Sequence, residues 1–108
     1  MRLLAAILVC LVASAQADDL LVFTRPGCPP CEAAKAALAE DPSIAVGYKL
    51  QQVDVQQNRE MARKYGVSSV PVFVIVRSGK EVRRTVGFRS VERLRDWLDS
   101  PKLRRRWR

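Results

Sequence analysis

Short apolar runs alternate with helix-forming stretches along this chain. Leu20-Leu21-Val22-Phe23-Thr24 is compact and apolar, and it reads as a strand buried on both faces. Glu32 to Glu40 is built from strong helix formers. A helix is expected from about Pro29 to Glu40, with Cys31, Ala34 and Leu38 on one face and Asp41-Pro42-Ser43 ending it. Residues 44–48 are ambiguous, and Lys49 to Val55 reads as a second strand. Asn58 is placed to cap a second helix, with Met61, Ala62 and Tyr65 inward and Gly66 as its stop. Val72-Phe73-Val74-Ile75-Val76 is the most apolar run after the N-terminal segment and reads as a central strand. Arg77-Ser78-Gly79-Lys80 is a tight turn. Glu81 to Phe88 then alternates, which predicts an antiparallel partner with Val82, Val86 and Phe88 on one face. Ser90 caps a last helix carrying Val91, Leu94, Trp97 and Leu98 at helical spacing, and Pro101 is expected to stop it.

The predicted order is therefore β-α-β-α-β-β-α. The first strand–helix–strand unit implies a parallel pair, and the second half is a hairpin plus a helix. The fold class is α/β, a four-stranded mixed sheet with about three helices on its faces.

The N-terminus changes the picture of where this domain begins. Met1-Arg2 leads into the apolar run Leu3 to Ala13, and Ser14-Ala15-Gln16-Ala17 gives a small-x-small cleavage pattern. That is the layout of a secretory signal peptide over residues 1–17. The run is too short for a comfortable membrane span, so an uncleaved tether is the alternative. Removing 17 of the 108 residues leaves 91, enough for one modest core, and takes the formal charge from +8 to +7. The expected organisation is a domain over 18–100 followed by a basic tail over 101–108. Five of the seven residues from Lys102 to Arg108 are basic. Such runs are commonly just solvated, but an anionic membrane or an acidic protein would also attract this one. Nucleic acid is not the expected partner of an exported chain.

Candidate chemistry centres on Cys28-Pro29-Pro30-Cys31, the only cysteines outside the first ten residues. Strand turns into helix there, with Pro29 at a first helical position where proline is tolerated. Cys28 would face the unpaired N–H groups and positive dipole end of a helix, a place that lowers a thiol pKa and makes a thiolate nucleophile. Cys31 lies one turn deeper, within reach of the first sulfur. As a staple the pair closes too short a loop to stabilise much. As a metal site it offers two thiolates in a chain without histidine, although ligation of a cluster shared across a dimer stays open. Redox chemistry is the favoured reading.

Three marks together resemble the thioredoxin-fold family, over essentially all of residues 20–99. They are Cys28-Pro29-Pro30-Cys31 after the first strand, Lys64-Tyr65-Gly66-Val67-Ser68-Ser69-Val70-Pro71 before the central strand, and Val86-Gly87-Phe88 before the last helix. The resemblance implies that Cys28 attacks, that Cys31 is the buried resolving thiol and that Pro71 is a cis-proline beside them. It also implies that Val70, Pro71 and Gly87 line a groove for an extended substrate strand. Two features depart from the family. Its buried acid six residues before the first cysteine, and the lysine paired with it, fall here on Val22 and Gln52. Arg25-Pro26-Gly27 is closer to glutaredoxin-like proteins. Arg25 and Glu32 are the charged groups placed to tune the thiols.

The expected function is that of a thiol–disulfide oxidoreductase, leaning toward reductase, exported and periplasmic if bacterial. It is expected to be monomeric, to need no cofactor or metal, and to exchange disulfides with protein thiols and a redox partner. The alternative is a non-catalytic module that binds a protein or an anionic surface through the same fold.

Overall fold

The computed structural model describes residues 17–104. The expected export segment, apart from Ala17, and residues 105–108 of the basic tail lie outside them. The elements are β1 (Asp18–Thr24), α1 (Pro29–Glu40), a 3-10 turn (Pro42–Ala45), β2 (Tyr48–Asp54), α2 (Arg59–Lys64), β3 (Val72–Arg77), β4 (Lys80–Val86) and α3 (Val91–Arg104). Apart from the 3-10 turn, this is the expected order. The strands form one sheet in the order β2-β1-β3-β4. β1 and β2 are parallel, with α1 as the crossover between them, while β3 is antiparallel to both β1 and β4.

Side-chain alternation along β1 and β3 divides the core in two. Leu20, Val22, Phe73 and Ile75 meet Ala34 and Leu38 of α1 and Leu94 and Leu98 of α3 on one face. Leu21, Phe23, Val72, Val74 and Val76 point to the other face, where Val53 joins them and Met61 of α2 and Tyr65, just past its end, pack on top. Central strands covered on both sides must be apolar throughout, which is why both runs lack alternation.

β1 starts two residues before the expected Leu20. Asp18 is held in the strand by Arg77 at the far end of β3, with Nη2 2.8 Å and Nε 3.1 Å from the two carboxylate oxygens. β2 runs one residue earlier than Lys49–Val55 and is an edge strand with only Val53 buried. Asn58 does cap α2, accepting from the Met61 N–H at 3.3 Å. Ser90 likewise accepts from the Arg93 N–H at 3.2 Å at the start of α3. Where α1 ends, Asp41 accepts from the Ser43 hydroxyl and N–H and pairs with Arg95 of α3, contacts that hold its carboxyl below the usual range.

Two expectations are corrected. Val82, Val86 and Phe88 do not share a face. The β3–β4 register jumps from Ile75↔Arg83 to Val76↔Glu81, leaving Val82 as a bulge. Val82 and Val86 are 46% and 59% exposed, whereas Phe88, past Gly87 at φ +88°, packs on Phe73. A bulge and a turn each break the two-residue period from which the shared face was read.

Nor does the last helix stop at Pro101; it runs on to Arg104. A proline at 101 removes the N–H that would bond the Trp97 carbonyl. That carbonyl accepts instead from Ser100 Oγ at 2.8 Å and from Arg83 Nη1 at 2.9 Å, the guanidinium lying 4.8 Å from the Trp97 ring centre. With its orphaned acceptor satisfied, the helix continues. Arg83→Ala should destabilise the protein by about 1 kcal/mol, and by less when Pro101→Ala restores the N–H. Urea unfolding of the four proteins in that cycle measures the difference. Strict additivity would show that Arg83 does not compensate for the proline.

Candidate active site

The site begins where β1 leaves the sheet. Thr24 is the last strand residue, and Arg25-Pro26-Gly27 carries the chain out in a turn that uses Gly27 at φ +69°. Cys28 follows in an extended conformation as the N-cap of α1, with prolines at the first two helical positions. Both prolines fix φ for the helix and neither offers an N–H. The first helical bond runs from the Glu32 N–H to the Cys28 carbonyl at 3.0 Å. Cys31 comes one turn in and faces the sheet with Ala34 and Leu38.

This geometry brings the two sulfurs together. Cys28 and Cys31 form a disulfide with their Cα atoms 5.2 Å apart, inside the usual span of roughly 4.4–6.8 Å. Cys31 is fully buried, while Cys28 keeps 4% of its surface in solvent. The neighbours Arg25, Pro26, Gly27, Pro29 and Pro30 are all exposed. Such a couple can accept two electrons and return as two thiols, with the first cysteine the one that retains any solvent exposure. Among the described residues, no group of three or more His, Cys, Asp or Glu gathers as a metal site.

The remaining expected site residues collect at the same end of the sheet. Register pairs Phe23 with Val72 and Val72 with Val86. The Cys28 loop, Pro71 and Gly87 therefore leave three neighbouring strands side by side. The Val70–Pro71 peptide is cis, Pro71 is buried, and its carbonyl accepts from the Gly87 N–H at 2.7 Å. Val70 is half-buried and lies just outside the paired ladder. Glu32 is exposed, its carboxylate 3.6 Å from the Lys35 ammonium. Arg25 lines a cleft of about 280 Å³ with Val67 and Val70.

Val22 and Gln52 are direct partners across β1 and β2, the former fully buried and the latter exposed. Aliphatic packing and a solvated amide thus occupy the places of the buried acid and its lysine. Thr24 is the only buried polar residue among those described. Sequence reading missed it because a threonine ending an apolar run looks like any other β-branched residue. The arginines flanking the site, Arg59 and Arg63 on one side and Arg89 and Arg93 on the other, were also missed. Exposed arginines carry no local signal that they will share a cleft.

The family model described as a thioredoxin-like domain matches residues 11–101. A thioredoxin of Bacillus subtilis is 36% identical over 78 residues, covering 71% of this chain and 75% of that protein. A thioredoxin of Staphylococcus aureus is 32% identical over 85 residues, covering 75% and 79%. Among solved structures, a thioredoxin of Trypanosoma brucei brucei superimposes with a TM-score of 0.67 at 28% identity, covering 77% of this chain and 73% of that one. A thioredoxin pre-protein of Schistosoma mansoni gives 0.64 at 29%, covering 79% and 81%.

Proposed function

The chain belongs to the thioredoxin-like domain family and is a thiol–disulfide oxidoreductase, and from that premise we propose that Cys28 and Cys31 exchange disulfides with proteins, mainly as a reductant. The observation that carries this is the unequal placement of the two bonded cysteines: Cys31 is fully buried, whereas Cys28 keeps 4% of its surface in solvent and starts the helix among exposed neighbours. In the reduced protein the Cys28 thiolate attacks one sulfur of a substrate disulfide. A Cys28–substrate bond forms and the other substrate sulfur leaves as a thiolate. Cys31, once deprotonated, attacks the Cys28 sulfur and releases the second substrate thiol. The substrate gains two electrons and the protein ends as the disulfide, to be restored by a dithiol partner.

Pro29 and Pro30 support the reducing direction. Strong oxidants of this chemistry have a highly stabilised reduced form, and two missing N–H donors beside Cys28 weaken that stabilisation. Arg25 acts mildly the other way. In this reading Val70, Pro71 and Gly87 hold an extended substrate segment by strand addition. Titration against a dithiol–disulfide buffer should give a potential below about −220 mV, and a value above about −150 mV would assign an oxidant.

Localisation and attachment belong to the same proposal. We place the protein outside the cytoplasm, as a periplasmic monomer whose residues 1–17 are removed. N-terminal sequencing of native material beginning at Met1 would instead make it tethered. The basic residues 102–108 are assigned to an anionic surface, at roughly 1 kcal/mol per cation near such a membrane. Deleting them should reduce binding to anionic vesicles at low salt; equal binding by both forms would remove this role.

A further inference from the structure

Two adjoining clefts lie beside the Cys28 loop. The first, about 280 Å³, is bounded by Arg25, Val55, Val67 and Ser68 among others. The second, about 550 Å³, shares the last three of these and adds Arg59 and Arg63 of α2. Together they form one trough with an apolar floor and three arginines on its rim, ending at the loop that carries Cys28. Arg59 and Arg63 are four residues apart, so they project from one face of α2.

The rim arginines differ from three that are held in ion pairs elsewhere in the protein, and resemble Arg89 and Arg93 across the site in being exposed and without a carboxylate partner among the described residues. Arg77, Arg84 and Arg95 are paired with Asp18, Glu81 and Asp41. Arg25, Arg59 and Arg63 are exposed, and none of their side chains makes a hydrogen bond or ion pair with the described residues. The acids closest in sequence do not neutralise them. Asp54 is occupied by the N–H groups of Gln56 and Gln57, and Glu60 lines neither cleft. A concentration of one sign of charge beside a reactive sulfur raises the local concentration of oppositely charged substrates.

We propose that this trough is a specificity subsite for protein segments carrying Asp or Glu next to the disulfide to be reduced. The inference rests on Cys28 being the attacking sulfur. The acidic side chains pair with Arg59 and Arg63, the apolar floor covers the stem of the segment, and Arg25 stands at the junction with the reacting bond.

The test uses three peptides with the same central disulfide, flanked by Asp/Glu, by Gln or by Lys. Each is reduced by the full chain at low ionic strength. The acidic peptide should react about tenfold faster than the basic one, and 0.5 M salt should shrink that ratio to near two. In R59E/R63E the ratio should fall to one or invert. K49E/K80E makes the same change in net charge at the opposite end of the sheet, where β2 and β4 begin, and should keep the preference. A ratio near one in the unmodified protein would overturn the proposal. So would equal loss in the two double variants, which would assign the preference to total charge. Failure to reduce even the Gln-flanked peptide would overturn the reading of Cys28 itself, a different outcome from turnover without preference.

Discussion

Cys28→Ser should abolish disulfide turnover, with a loss of at least about a thousandfold, while Cys31→Ser should stop the cycle halfway and accumulate a mixed disulfide. The difference follows from where the sulfurs lie. Thiolate attack needs approach along the axis of the substrate S–S bond, and Cys28 is the cysteine that keeps some of its surface in solvent, 4% against none for Cys31. A hydroxyl in its place is neither ionised near neutral pH nor a comparable nucleophile toward sulfur. Cys31 is fully buried on the inner face of α1, so a bulky disulfide has no path to it. Its available target is the neighbouring Cys28 sulfur. When serine replaces Cys31 that second attack is lost, and the bond between Cys28 and the substrate persists. Intact-mass measurement after mixing with a disulfide peptide should show the adduct for Cys31→Ser and none for Cys28→Ser. In the reduced parent protein, limiting iodoacetamide should label Cys28 first. Preferential labelling of Cys31 would reverse the roles.

The second large effect is on stability. Phe23→Ala should cost about 3–5 kcal/mol, a large part of the roughly 5–15 kcal/mol that holds a domain of this size together. Phe23 is fully buried between Val53 on β2 and Val72 on β3, and its ring lies 5.8 Å from that of Tyr65 at the end of α2. Removing it opens a cavity beneath α2, two residues before the chain turns out toward Cys28. Val82→Ala removes an apolar side chain from the bulge of an edge strand, and should change stability by no more than about 0.5 kcal/mol. Urea midpoints for the two variants provide the comparison. A loss below about 1 kcal/mol for Phe23→Ala would mean that Tyr65 and the strands close over the gap.

Local chemistry made much of this protein legible from its residues alone. α1 was expected to run over Pro29–Glu40 with Cys31, Ala34 and Leu38 inward, and it does. Those features depend on neighbours three or four positions away, on helix propensity and on proline at the first turn. The same is true of the Asn58 and Ser90 caps and of the two central strands, whose continuous apolar runs suit burial on both faces. The cysteine pair could be placed at a strand-to-helix junction for the same reason.

What the sequence did not disclose depends on partners distant along the chain. The alternation of residues 81–88 is a real local signal, but the bulge at Val82 exists only in the pairing with Ile75 and Val76. Pro101 is a helix stop by local rules, and α3 passes it because Arg83, fourteen residues before Trp97, supplies the carbonyl with a donor. Exposed arginines look alike in a sequence. Only the packing of α2 beside the Cys28 loop brings Arg25 together with Arg59 and Arg63 along adjoining clefts, while Arg77, Arg84 and Arg95 are taken up by carboxylates. Propensity and periodicity act over a few residues, so they are written in the chain. Strand register, the satisfaction of an orphaned carbonyl and the sharing of a cleft are fixed only when segments meet, because hydrogen bonds and charges act across space.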